Sequence, residues 1–128
     1  MGRRQSFQIP GVHRVAPIPY GARVANTVYS SAIQGIDAAT GELSEDVVEQ
    51  AKHCFNNLRT FLGVAGATAD DIVRMTCFLK DLNDREVLNN EWIAMFPDED
   101  DRPARHTSSY DPPRGMKIQI EIVAIVDD

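Results

Sequence analysis

Between Val47 and Ala65 the residues Val47, Ala51, Cys54, Phe55, Leu58, Phe61, Leu62 and Ala65 recur at steps of three and four. That period puts a single apolar stripe on a helix and predicts that it packs against a core. Ser44 is the expected N-cap, and Glu45 and Asp46 add negative charge at the positive end of the helix dipole. Val47 stands where a capping box would need Glu or Gln, and Gly66 is the expected C-cap. A second helix is expected after Asp84, with Leu88, Trp92, Met95 and Phe96 on one side and Pro97 as its stop.

The remaining apolar positions follow a period of two. In Ile72–Leu79, Val73, Met75, Cys77 and Leu79 share one face, and Ile72, Arg74, Thr76 and Phe78 share the other. Two mostly apolar faces predict a central strand. In Lys117–Val126, the positions Ile118, Ile120, Ile122, Ala124 and Val126 alternate with Lys117, Gln119, Glu121, Val123 and Ile125. Shorter strands are expected at Gln5–Ile9, at Arg23–Ile33 with a break near Ser30-Ser31, and at Arg105–Tyr110. Turns are expected at Pro10-Gly11, Asp37–Gly41 and Asp111–Gly115, an extended loop at His13–Gly21, and a brief helical turn at Thr68–Asp71. The order β-β-α-β-α-β-β describes an α+β fold, a mixed sheet with two helices on one face. The other face needs a cover, which predicts a subunit interface.

Composition narrows the class. The 128 residues, 43% hydrophobic and 25% charged, suit one domain spanning 1–128, with 1–12 as an N-terminal segment prone to fray. A net charge of −6 opposes general nucleic-acid binding. No apolar run is long enough to cross a bilayer, so no membrane partner is expected. Arg3 and Arg4 precede a polar segment rather than the apolar one of a signal peptide. Cys54 and Cys77 have no metal-type spacing and fit free thiols in the cytoplasm. His13, His53 and His106 match no zinc pattern, so no metal is expected.

Two side chains carry candidate chemistry. Arg105, in Arg102-Pro-Ala-Arg105, offers a planar fork that matches a carboxylate with two parallel hydrogen bonds; it also reads as a surface cation balancing the acidic Asp98–Asp101 loop. Glu121 interrupts the isoleucines of the last strand. A carboxylate there is costly to bury unpaired. It reads either as a strand residue paired with Lys117 or a cross-strand arginine, or as a general base acting on water.

Further residues form a recognisable set. They are Ser30-Ser31 with Thr40-Gly41-Glu42, Asp71-Ile72-Val73, Phe78-Leu79-Lys80-Asp81-Leu82-Asn83-Asp84, Asn89 and Phe96, Arg102-Pro-Ala-Arg105, and Lys117-Ile-Gln-Ile-Glu121-Ile-Val-Ala124. Over about Pro17 to Val126 the chain resembles the Rid (YjgF/YER-type) family, whose fold is chorismate-mutase-like. The resemblance implies a homotrimer with its sheets packed inside and clefts between subunits. In the enamine/imine deaminase branch, the arginine matching Arg105 holds the substrate carboxylate, and the glutamate matching Glu121 positions a water, without a cofactor. The tyrosine matching Tyr20 lines the cleft, and Asn89 lies in a matching stretch. The branch usually has cysteine where Thr107 stands, and glycine and glutamine where Ser31 and Ala32 stand. The resemblance therefore implies a remodelled cleft for a small carboxylate metabolite, 2-iminopropanoate-like or aminomuconate- or aminoacrylate-like. The alternatives are a trimer of the same fold that binds small carboxylates without turnover and, against the charge, an RNA-acting protein.

Overall fold

The structure is a computed structural model that describes residues 2–127. In chain order its elements are β1 (Arg4–Phe7), β2 (Gly21–Val24), β3 (Thr27–Ser30), β4 (Ile33–Gln34), α1 (Val47–Ala65), β5 (Ile72–Leu79), α2 (Arg85–Met95), β6 (Ala104–Ser109) and β7 (Ile118–Ile125). All seven strands join one sheet in the order β1-β2-β3-β7-β5-β6, with β4 also pairing β7. The sheet is mixed because β5 and β6 run parallel while the other neighbours are antiparallel. A parallel pair needs a crossover, and α2 supplies it. That connection places α2 beneath the edge formed by β6.

The central strands carry the core. Ile118, Ile120, Ile122 and Ala124 of β7 and Met75, Cys77 and Leu79 of β5 are buried on the side that α1 and α2 cover. The stripe of α1 meets them with Ala51, Cys54, Phe55, Leu58, Phe61 and Leu62, all buried. Buried amides tie helix to sheet. Asn57 Nδ2 donates to the carbonyls of Gln34 at 2.9 Å and Ile36 at 2.8 Å. Gln50 Nε2 donates to Ser44 O at 2.7 Å and Gly115 O at 3.1 Å, and Gln50 Oε1 accepts from Lys117 N at 2.8 Å. Gly35 permits this approach, since a Cβ there would lie 2.2 Å from the Gln50 carbonyl oxygen.

Several boundaries differ from the sequence expectation. The stretch Arg23–Ile33 is a hairpin rather than one strand. It turns at Ala25-Asn26, with Ala25 at φ 52°, and the chain leaves the β3 line at Ser31, as the Ser30-Ser31 break implied. No Gly or Pro marks that turn. The N-cap of α1 is Asp46, whose carboxylate accepts from Val48 N at 3.1 Å; Ser44 Oγ instead accepts from Asp46 N at 3.0 Å. Gly66 does cap α1, at φ 79°, and Arg23 Nη1 donates to the Ala65 carbonyl at 3.0 Å. The first strand ends at Phe7, and Ile9 makes only an isolated bridge to Val12. In β5 the register against β7 shifts between Ile72 and Arg74. This irregularity turns Ile72 into the core and leaves Val73 48% exposed, the reverse of strict alternation.

Candidate functional site

Pairing register decides which face each candidate occupies. Arg105 lies opposite Met75 and Thr107 opposite Cys77, so both leave β6 on the helix-covered face. Glu121 lies opposite Thr76, which also pairs His106, so Glu121 leaves β7 on the open face. Within one protomer, the two expected catalytic residues are therefore not brought together.

Arg105 sits on the sheet edge above the crossover helix. Its guanidinium carbon is 5.1 Å from the centroid of the Trp92 ring, a cation–π contact. Trp92 is held by an edge contact with Phe96, with centroids 4.7 Å apart. Among the described residues, Arg105 has neither a hydrogen-bond nor an ion-pair partner, so its fork is unspent. Arg102 differs: its Nε donates to the Phe96 carbonyl at 2.9 Å, a fixed role beside the β6 entry. Asn89, half-buried, precedes Trp92 by three residues and so shares its side of α2. The Thr107 hydroxyl is buried with no hydrogen-bond partner among the described residues. Burial pushes the neighbouring Cys77 thiol up to about 11, with the positive charge of Arg105 acting in the opposite direction.

Tyr20, Ser31 and Ala32 lie together where β3 passes into β4 alongside β7, apart from Arg105 on β6. Tyr20 is fully buried, and its hydroxyl accepts from Gln34 Nε2 at 2.8 Å. Ser31 Oγ donates to Pro19 O at 2.8 Å, and the Ala32 carbonyl accepts from Arg14 Nη2. The Arg14 guanidinium stacks on the Tyr20 ring, 4.2 Å from its centroid. Burial raises the Tyr20 pKa, and the adjacent Arg14 charge opposes that shift. Tyr20 is thus the floor under Arg14 rather than a free wall of the protomer.

Glu121 lines an open-face pocket of about 300 Å³ with Tyr29, Ser30, Arg74, Thr76 and Val123. Arg74 shares the pocket without pairing to it. Ser30 Oγ accepts from Ile122 N at 2.8 Å and so stiffens that stretch of β7. In its wall Tyr29 is 59% exposed, and further along β7 Ile125 is 48% exposed, apolar surface in one protomer.

Reading the sequence missed Arg14, Gln34 and Gln119. Gln34 and Gln119 are register partners on β4 and β7 and line, with Arg14, a pocket beside Tyr20. Gln119 carried a signal, as a polar side chain alternating with buried isoleucines. Arg14 carried none, since it lies in an irregular proline-bearing loop. Among the described residues no three His, Cys, Asp or Glu side chains gather as a metal group, and no helix is long and apolar enough to cross a membrane.

The family model described as endoribonuclease L-PSP matches residues 13–126. The chain belongs to that family, the Rid (YjgF) family. It is 32% identical over 113 residues to 2-iminobutanoate/2-iminopropanoate deaminase of Escherichia coli (strain K12), covering 87% of this chain and 88% of the relative. The fold matches RidA from the Antarctic bacterium Psychrobacter sp. PAMC 21119 with TM-score 0.87 at 31% identity, covering 95% of this chain and 99% of that one. It also matches E. coli TdcF with bound serine, with TM-score 0.86 at 26% identity over 95% of this chain and 98% of that one. The mixed sheet and two helices of this Rid-family chain are thus those of its solved relatives, and the E. coli relative is itself named as an imine deaminase.

Proposed function

We propose that this protein is a hydrolytic deaminase of a small enamine or imine carboxylate, working without a cofactor in a homotrimer. The observation that carries the reading is Arg105: a half-buried guanidinium on an aromatic shelf, at a sheet edge, with no hydrogen-bond or ion-pair partner among the described residues. Such a group costs free energy unless an anion meets it, and its fork suits a carboxylate. The E. coli relative is named for imino acids, and the serine bound by TdcF also carries a carboxylate.

In this mechanism Arg105 fixes the acid group and thereby the position of the imine carbon. A carboxylate takes a proton from water as the water oxygen adds to that carbon, and hands it to the nitrogen. The carbinolamine so protonated expels ammonia as its hydroxyl loses a proton, which leaves a 2-oxo acid and the free carboxylate. Glu121 is the proposed carboxylate. It faces away from Arg105 of its own protomer, so the reading requires the open face of one copy to meet the β6 edge of another. The exposed Tyr29 beside Glu121 and the exposed Ile125 further along β7 support such a junction. Tyr20, Ser31, Ala32, Asn89 and Thr107 are the proposed cleft-shaping residues.

A second reading, carboxylate binding without hydrolysis, draws on the hydroxyls that mark this chain off from the deaminase branch. Ser31 donates to Pro19, and the Thr107 hydroxyl is buried, so neither is an open donor in the protomer. RNA cleavage, which the family description names, is opposed by the net charge of −6. The deciding experiment measures ammonia release from imino acids generated in place by an amino-acid oxidase. Acceleration by the native chain and its loss in Arg105→Ala support the deaminase. Pyruvate binding with no acceleration supports the second reading.

A further inference from the structure

A pocket of about 360 Å³ opens where the loop His13–Ala16 passes between β4 and the turn that precedes β7. That volume suits a small metabolite. The pocket's charged side chains are cationic, Arg14 and Arg114, joined by His13, while Gln34 and Gln119 supply amides; no Asp or Glu lines it among the described residues. In a chain of net charge −6 this is a local reversal of sign. It is built within one protomer and does not include Arg105.

Arg14 is the centre of the argument. Its Nη2 donates to the Ala32 carbonyl, and the plane rests on the Tyr20 ring, so the guanidinium is fixed in place. Its Nε is buried and has no hydrogen-bond acceptor, and among the described residues no carboxylate pairs with it. The Tyr20 hydroxyl cannot serve as counter-ion: its pKa is raised by burial, so it stays protonated at neutral pH. Gln119 Nε2 donates only to the Met116 thioether, at 3.2 Å, and sulfur is a weak acceptor. The wall therefore holds a preorganised cation and an amide donor whose present partner is poor. An oxyanion in the pocket would offset the charge of Arg14 and give the Gln119 amide a stronger acceptor than sulfur.

We infer that this pocket binds a small metabolite through a carboxylate, with Arg14 supplying the charge and Gln119 a second hydrogen bond. A carboxylate fits better than a phosphate because the wall offers few donors and no helix N-terminus to cradle further oxygens.

The test is calorimetric titration of the full chain with malonate and, separately, with inorganic phosphate, each variant also being made in an Arg105→Ala background so that the carboxylate site proposed at Arg105 does not contribute. Arg14→Gln is expected to weaken malonate about ten-fold or more, the usual scale for losing a charged hydrogen bond. Arg14→Lys is expected to retain an intermediate affinity. Gln119→Leu leaves the Arg14–Ala32 contact intact and is expected to weaken malonate several-fold with an unchanged melting temperature, so it carries the test if Arg14→Gln does not fold. Wild-type malonate affinity in both folded variants, no malonate binding by the native chain, or phosphate binding as tight as malonate would each overturn the inference. Ammonia release by Arg105→Ala is read separately: loss there, together with unchanged malonate affinity in Arg14→Gln and Gln119→Leu, would sink this pocket and leave the deaminase standing.

Discussion

Arg105 and Glu121 stand on the two strands that flank β5, yet their side chains leave the sheet on opposite faces. The cause is parity: Arg105 is in register with Met75 and Glu121 with Thr76, neighbours in sequence and hence opposite in direction. A site that uses both must be assembled from two copies. Expected behaviour is a concentration-dependent activity, with specific turnover falling as the oligomer dissociates on dilution. Sedimentation and ammonia release measured on one dilution series check this. A fully active monomer would refute the shared site.

The fork of Arg105, not its charge alone, is proposed to hold substrate. Arg105→Lys keeps the cation but loses the bidentate geometry and the flat contact with Trp92. Turnover per KM is expected to fall about ten- to a hundred-fold in Arg105→Lys and further in Arg105→Ala. Equal activity in the native chain and Arg105→Lys would contradict the role.

Trp92 supports that fork and also closes the core beside Phe96. Trp92→Ala is expected to destabilise the fold by about 3–5 kcal/mol, the range for deleting a large buried aromatic. Trp92→Phe keeps an aromatic shelf and is expected to raise KM several-fold with a smaller stability loss. Urea melts and steady-state kinetics on the two variants separate packing from positioning.

Gln50 is fully buried and makes three hydrogen bonds, two that join α1 to the segment entering β7 and one to Ser44 O just ahead of α1. Replacing it with Leu leaves the Lys117 amide and two carbonyls without their partner. A loss of about 2–4 kcal/mol is expected, since each orphaned buried group costs about 1–3 kcal/mol and some regain water. Chemical denaturation measures it, and a loss below 1 kcal/mol, on the same scale, would show that the strand entry tolerates the change.

Cys77 makes stability depend on alkaline pH. Its folded pKa is raised from 9.0 to about 11, so the native state keeps a proton that the unfolded chain releases. Between those values the unfolded state binds fewer protons, and stability falls as pH rises. Denaturant midpoints of the native chain are expected to drop between pH 9 and 11, and Cys77→Ala is expected to flatten part of that drop. An identical pH profile in Cys77→Ala would count against a buried neutral thiol.

The sequence by itself determined the α+β class and the α-β-α-β-β order from α1 onward, the apolar stripe of α1, the crossover helix, the C-cap at Gly66 and the buried alternation of β7. Each of these is periodic or local, set by side-chain spacing along a few turns or by one glycine at positive φ. The irregularity that swaps Ile72 and Val73 has no local mark, because it arises from matching β5 to β7. The hairpin turn at Ala25-Asn26 was likewise hidden, since neighbouring strands rather than turn residues impose it. Arg105 and Glu121 could be singled out as unusual side chains, but their faces could not be compared, because parity across three strands depends on register. Only the tertiary structure decided that one rests on Trp92 under the sheet while the other opens outward, and only packing brought the loop residue Arg14 over Tyr20.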